Sequence, residues 1–67
     1  MVNIKNLKDL RKSFGLYQRD LAIKIGVTQA AVSDWENGRR IPRLKMLNKI
    51  ASFFGISVDY LVELLDK

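Results

Sequence analysis

The 67-residue chain is predicted to form an all-α domain of five short helices. Along most of its length, apolar residues recur at steps of three and four, which is the spacing of one face of an α-helix. Glycine or proline interrupts this spacing between the predicted segments, and no segment shows the strict alternation of a half-buried strand. A chain of this length forms one domain, residues 1–67, with a small core and little spare stability.

The first two helices are each followed by a glycine. Helix 1 is predicted from Ile4 to Phe14, because its apolar residues fall on one face, and Gly15 suits the left-handed conformation that ends a helix. Helix 2 is predicted from Gln18 to Ile25, and Gly26 ends it in the same way. The residues of helix 2 that we expect to face inward are Leu21, Ala22 and Ile25.

The third helix has a signal at each end. Thr28 can cap the first turn, and the helix is predicted to hold Gln29 to Glu36. Asn37 and Gly38 then stop it, since both residues tolerate a positive φ angle. Only a three-residue turn, 26–28, separates helices 2 and 3, so these two helices are expected to form a unit.

Helices 4 and 5 follow a loop that contains Pro42. Proline disfavours helical geometry at the preceding residue but suits the neighbourhood of a helix start, so helix 4 is predicted from about Arg43 to Phe54. Ser57 is expected to cap helix 5, with Asp59 in the first turn. The residues expected to face inward on helix 4 are Leu44, Leu47, Ile50, Ala51 and Phe54.

Helix 5 is apolar around most of its circumference, which a surface helix is not. One interpretation is a terminal helix with a few exposed apolar residues, which is common in soluble proteins. The other is a self-association surface. We expect the second, with a dimer interface formed by Val58, Leu61, Val62 and Leu65.

Composition excludes several functions. The chain contains no Cys, which excludes disulfides and thiolate metal sites, and no His, which removes the commonest general base and zinc ligand. No nucleophile has a base beside it and no glycine-rich loop follows a strand, so catalysis, metals, cofactors and small-molecule ligands are not expected. No apolar stretch is long enough to cross a bilayer and no signal peptide is evident, so the expected location is the cytoplasm.

The charge is unevenly distributed. The chain carries 12 Lys and Arg against 7 Asp and Glu, a formal net charge of +5. Residues 37–58 contain basic residues and no acid, whereas residues 59–67 contain three acids and one lysine. A cationic region confined to one part of a small domain favours nucleic acid as a partner.

The segment 18–38 has the spacing of a helix-turn-helix. Two helices that cross steeply need a small residue where their backbones meet, which Ala22 supplies, and a turn residue that accepts positive φ, which Gly26 supplies. Val32 and Trp35 then point into the core and set the angle of the second helix. Its outward face carries small and amide side chains that suit base edges, which makes sequence-specific DNA binding the first hypothesis.

A characteristic pattern extends beyond the turn to both ends of the chain. Its residues are Gln18, Ala22, Gly26, Thr28, Gln29, Val32, Glu36, Asn37, Gly38 and Pro42, followed by 47–51 and 56–61. This pattern resembles the lambdoid phage repressor and Cro family, the xenobiotic-response-element type of helix-turn-helix. The resemblance covers nearly the whole chain and implies a lambda-repressor-like DNA-binding domain whose partner is double-stranded DNA.

The resemblance also implies roles for individual residues. Gln29 would reach a base edge, where its amide can pair with adenine, and Ala30 would offer a methyl group to thymine. Gln18 would hold a phosphate and brace Gln29. Ser33 and Asp34 share the base-facing side; Asp34 could accept from cytosine N4 or could only repel phosphate. The residues expected along the DNA backbone are Gln18, Arg19, Thr28, Asn37, Arg39, Arg40 and Arg43.

One further pair is implied by the family. Arg11 in helix 1 and Glu36 at the end of helix 3 match two positions that form a partly buried ion pair. Removing one partner would leave the other charge unpaired, so we expect Glu36→Ala to lose DNA binding through lost stability.

The sequence therefore predicts a DNA-binding transcriptional regulator, in the first instance a repressor. It would act as a homodimer on an inverted repeat, with helix 29–36 of each copy in the major groove. The alternative is a helical protein-interaction module, an antitoxin or adaptor, that acts through helix 5 and binds DNA weakly.

Overall fold

A computed structural model describes residues 3–66 of the chain. Five α-helices account for most of this part, and it contains no strand, so the predicted all-α class is confirmed. The predicted bounds of helices 2 and 3 are also confirmed. The helices are α1 (Leu7–Ser13), α2 (Gln18–Ile25), α3 (Gln29–Glu36), α4 (Leu44–Phe54) and α5 (Val58–Leu65).

The start of α1 was predicted three residues too early. The side chain of Asn6 accepts a hydrogen bond of 2.8 Å from the backbone N–H of Asp9, which makes Asn6 the N-cap. An N-cap residue has extended backbone, so the helix begins at Leu7. Ile4 lies before the helix and still packs against the core, which explains why its apolar character fitted the helical spacing.

Helix α4 differs from the prediction at its first turn. Arg43 is its N-cap, and the helix proper begins at Leu44. The expectation that Leu44 faces inward is wrong, since 69% of its surface is exposed. Periodicity places it near the inward face, but the buried residues of α4 are Ile50, Ala51 and Phe54, which all lie in its second half.

The core lies where all five helices meet. Helix α2 packs mainly on α3, α4 packs on α5 and also on α2, and α1 contacts both α3 and α5. Trp35, predicted to be in the core, is buried. The buried apolar residues are Leu7, Leu10, Leu21, Ala22, Ile25, Val32, Trp35, Ile50, Ala51, Phe54, Leu61 and Leu64.

The burial of Leu61 in α5 corrects one residue of the predicted dimer interface. Leu61 has no exposed surface, so it belongs to the core and cannot meet a second molecule. Val58 and Leu65 are half-buried against the same core, and 46% of Val62 is exposed. The inward side of α5 carries Leu61 and Leu64, which leaves Val62 as its clearest exposed apolar residue.

Candidate nucleic-acid interface

The turn between α2 and α3 has the geometry that its residues predict. Gly26 adopts the left-handed conformation with φ of 76°, and Val27 N–H donates to the carbonyl oxygen of Ala22 at 2.9 Å. Ala22 and Val32 are both buried at the contact between the two helices. The small residue, the left-handed turn and the buried valine together hold α3 at a defined angle to α2.

The structure adds Lys49, in α4, to this turn. Its ammonium nitrogen lies 3.4 Å from where a Cβ atom on Gly26 would be, which places a positive charge beside the C-terminal end of α2. A cation there is favourable, because the helix dipole is negative at that end. In the sequence, Lys49 is only one member of the cationic region 37–58, since nothing in the spacing shows that it reaches the turn.

Helix α3 presents its predicted base-contacting residues on the surface. Gln29 and Ala30 are exposed in the first turn, and Ser33 and Asp34 are half-buried on the same outward side one turn later. Thr28 caps the helix, since its hydroxyl oxygen accepts from the N–H of Ala31 at 3.1 Å. A hydroxyl group that accepts in this way still has its own hydrogen to donate.

The far end of α3 is tied to the loop that follows it. The side-chain nitrogen of Asn37 donates to the carbonyl oxygen of Ser33 at 2.9 Å and to its hydroxyl oxygen at 3.2 Å. The guanidinium group of Arg39 lies 3.7 Å from a carboxylate oxygen of Asp34. The amide of Asn37 is therefore turned back on the helix, while Arg39 stays beside its outward face.

Three of the predicted backbone-contacting arginines are well exposed. Arg19 lies in the first turn of α2, Arg40 lies in the loop, and Arg43 is the N-cap of α4. Within residues 3–66 none of the three forms an ion pair with an acid. Their guanidinium groups are therefore exposed and available to an anionic partner.

The predicted ion pair joins α1 and α3. Arg11 Nε donates to Glu36 at 2.6 Å and Arg11 Nη2 donates to the other carboxylate oxygen at 3.2 Å. Their side chains are only 6% and 2% exposed, respectively. Arg11 Nη1 also donates to the carbonyl oxygen of Leu16 at 2.7 Å, so the charge is both paired and hydrogen-bonded.

Gln18 joins this cluster at the start of α2. Its amide nitrogen donates to Glu36 at 3.1 Å, whereas the resemblance implied a brace to Gln29. Because a carboxylate accepts only, this bond sets which end of the Gln18 amide is the nitrogen. That nitrogen has a second N–H to donate, and the phosphate contact of Gln18 stays a prediction.

Residues 3–66 show neither a candidate metal site nor a candidate membrane span. Residues 3–66 contain no group of three or more acidic side chains placed to hold a metal ion. None of the helices described is both long enough and apolar enough to cross a membrane.

The helix-turn-helix geometry, the capped outward helix and the buried pair behind it define a class of protein. The chain belongs to the helix-turn-helix family of the Cro and C1 repressor type, whose family model matches residues 7–61. The resemblance identified from the sequence is thereby confirmed. This is a family of regulators and not of enzymes.

Individual relatives have names that agree with the family. The chain is 39% identical over 59 residues to the uncharacterized HTH-type transcriptional regulator YqaE of Bacillus subtilis. It is 42% identical over 53 residues to the uncharacterized HTH-type transcriptional regulator MJ0272 of Methanocaldococcus jannaschii. It is 43% identical over 44 residues to the 26 kDa repressor protein of Escherichia phage HK022.

The matches cover much of this chain and less of some relatives. The aligned residues make up 88% of this chain and 51% of YqaE, 79% of this chain and 80% of MJ0272, and 66% of this chain and 19% of the phage repressor. The chain thus spans about half the length of YqaE. No solved structure matches it significantly.

Proposed function

We propose that this chain is the sequence-specific DNA-binding domain of a transcriptional regulator, a repressor that binds an inverted-repeat operator as a homodimer. The observation that carries the proposal is the outward face of α3. Gln29 and Ala30 are exposed on a helix whose other face is buried through Val32 and Trp35. A major groove admits an α-helix, and side chains at its N-terminal end are the ones that contact base edges.

Sequence would be read mainly by the first turns of α3. The Gln29 amide can donate to adenine N7 and accept from adenine N6, and the Ala30 methyl group can pack on a thymine methyl. Ser33, one turn further along, carries a hydroxyl that can either donate or accept. A relative of this chain, from phage HK022, is named a repressor protein, which supports a regulatory role for a domain that makes such contacts.

The backbone contacts would hold the domain in register. Gln18 and Thr28 each have a hydrogen left to donate, and Arg19, Arg40 and Arg43 are exposed around α3. Each phosphate neutralised contributes a slope of about −0.9 to the dependence of log K on log salt concentration. With Arg39 included, four arginines in each subunit predict a slope of about −3.6 per subunit. A flat dependence on salt would contradict this interface.

A second copy of the chain is the proposed occupant of an apolar patch beside α5. Val62, Leu65, Leu47 and Ile41 line a shallow groove, together with one acid, Asp66. Ile41 itself is 80% exposed. The apolar residues of this groove replace the buried Leu61 in the predicted interface. Since one α3 helix reads only a few base pairs, two copies about 34 Å apart would supply the affinity and the two-fold symmetry of an inverted repeat.

The dimer is tested by sedimentation equilibrium with two matched variants. Val62→Asp places a charge in the patch and is expected to shift the protein to monomer, since burying an unpaired carboxylate is unfavourable. Ile23→Asp makes the same change at an apolar residue on α2 that is 71% exposed, and should leave the dimer intact. Wild-type protein that is monomeric in solution and binds one copy per operator would contradict the homodimer.

Sequence-specific binding is tested by selection from randomised duplexes, followed by titration with the enriched duplex. Gln29→Ala is expected to weaken binding to that duplex by about tenfold, because a bidentate contact to a base contributes about 1–3 kcal/mol. Asn48→Ala, which removes an exposed amide from α4, is the control. If wild-type protein enriches no sequence, or if both variants bind like wild type, the proposed mode of reading is wrong.

A further inference from the structure

Asp34 is the one acid on the outward face of α3, and it is attached to the neighbouring loop in two ways. Its backbone carbonyl oxygen accepts from the N–H of Arg39 at 2.9 Å and from that of Arg40 at 3.4 Å. Its carboxylate oxygen lies 3.7 Å from the guanidinium nitrogen of Arg39. A negative charge on the surface that would face DNA requires an explanation, because it opposes the phosphates.

Stabilisation of the loop by the ion pair with Arg39 does not account for the carboxylate of Asp34. The two side chains are 68% exposed for Arg39 and 27% exposed for Asp34, and an exposed pair at this separation contributes little to stability. The loop is already held by the two backbone hydrogen bonds to the carbonyl oxygen of Asp34, which any residue at that position would keep. The carboxylate itself is therefore not needed to fix the loop.

Simple repulsion of DNA does not explain it either. A carboxylate that served only to reject phosphate would act best without a cation beside it. In this domain Arg39 lies against the carboxylate and offsets its charge. Since Asp34 is on the same side of α3 as Ala30 and Ser33, its carboxylate is placed to meet a base edge.

We infer that Asp34 selects a cytosine in each half-site by accepting a hydrogen bond from its N4 amino group, and that Arg39 then moves from the carboxylate to a neighbouring phosphate. This inference rests on the proposed function, since it requires α3 to lie in the major groove. Cytosine N4 and adenine N6 are the two donors that base pairs present there. Cytosine is favoured because adenine carries the acceptor N7 beside its donor, and N7 would repel the second carboxylate oxygen.

The exchange links base identity to a backbone contact. When cytosine donates to Asp34, the carboxylate has a new partner and the long, exposed side chain of Arg39 is released. Guanine and thymine present no donor to the carboxylate, and adenine presents N7 beside its donor, so with each of these bases the carboxylate retains Arg39. A wrong base at this one position therefore costs both the base contact and a phosphate contact.

Selection from randomised duplexes tests the base preference. Wild-type protein is expected to enrich a cytosine at one position of each half-site, and replacing it should weaken binding by about tenfold. Asp34→Asn keeps the backbone carbonyl and the size of the side chain but adds an N–H that can donate to adenine N7, so the preference at that position should move from cytosine to adenine while the rest of the motif is preserved. Asp59→Asn, the same change at an exposed acid on α5, should keep the wild-type motif.

The dependence of affinity on salt tests the exchange itself. With the cytosine-containing duplex, Arg39→Ala is expected to reduce the slope by about 0.9 per subunit, the contribution of one phosphate contact. With the duplex in which that cytosine is replaced, wild type and Arg39→Ala should have equal slopes. A purely structural role for the Asp34–Arg39 pair would change both duplexes alike.

The outcomes separate this inference from the proposed function. If wild-type protein enriches no sequence, the proposed function is overturned and the inference with it. If wild-type protein enriches a motif and Asp34→Asn enriches the same motif without change, only the inference is overturned. The same holds if Asp34→Asn binds every duplex more tightly by one common factor, because the carboxylate would then act by repulsion alone.

Discussion

Replacing Glu36 by alanine is expected to unfold a large part of this small domain. The substitution removes the acceptor for two hydrogen bonds from Arg11 and one from Gln18. The guanidinium group of Arg11 would keep its bond to the carbonyl oxygen of Leu16 but would lose its counter-charge. Because the Arg11 side chain is only 6% exposed, water cannot readily replace the carboxylate.

The magnitude follows from the burial of the pair. Removing one partner of a buried ion pair costs about 3–5 kcal/mol. Unfolding entropy of about 2.1 cal/mol/K per residue amounts to about 0.14 kcal/mol/K for 67 residues. The melting temperature is therefore expected to fall by about 20–35 °C. Since total stability for a domain is about 5–15 kcal/mol, and less for the smallest, DNA binding would be lost together with the fold.

Thermal unfolding followed by circular dichroism measures this effect, with two controls. Glu63→Ala removes an exposed glutamate from α5 and should leave the melting temperature nearly unchanged. The double variant Arg11→Met/Glu36→Leu removes both charges and should be less damaging than Glu36→Ala, since no unpaired buried charge remains. An unchanged melting temperature in Glu36→Ala would refute the reasoning.

Two further predictions concern the turn and the core. Gly26→Ala should lower the free energy of unfolding in urea by about 1–2 kcal/mol, because φ is 76° at that position and a side chain there is strained. A wild-type midpoint would contradict this. Leu61→Ala should cost about 2–5 kcal/mol by leaving a cavity, whereas Val62→Ala, at a residue 46% exposed, should cost less than about 1 kcal/mol. Equal losses in the same titration would contradict the assignment of Leu61 to the core.

Local signals in the sequence were sufficient to predict where α2 and α3 begin and end. Helices α2 and α3 begin and end at the predicted residues, because their ends depend on neighbours in the chain: Gly26 with its positive φ, and Thr28 with its side-chain cap. The predicted start of α1 is wrong because Asn6 caps this helix, and apolar spacing alone does not separate Ile4, which precedes the cap, from the residues of the helix.

The pairing of Arg11 with Glu36 could be expected only through family resemblance. The two residues are 25 positions apart, and no periodicity connects them. The structure confirms the pair and adds Gln18 and the carbonyl oxygen of Leu16 to it. Such a cluster depends on three helices meeting, so composition and spacing cannot reveal it.

The sequence by itself determined the helical class, the helix-turn-helix and the set of residues available to DNA, because caps, glycines and apolar spacing act over a few residues. Only the tertiary structure decided which apolar residues of helix 5 are covered and which are exposed. Leu61 and Val62 are neighbours of similar hydrophobicity, yet the first has no exposed surface and the second is 46% exposed. The difference arises because burial depends on which helices pack against each side of α5, and that packing involves residues from the whole chain.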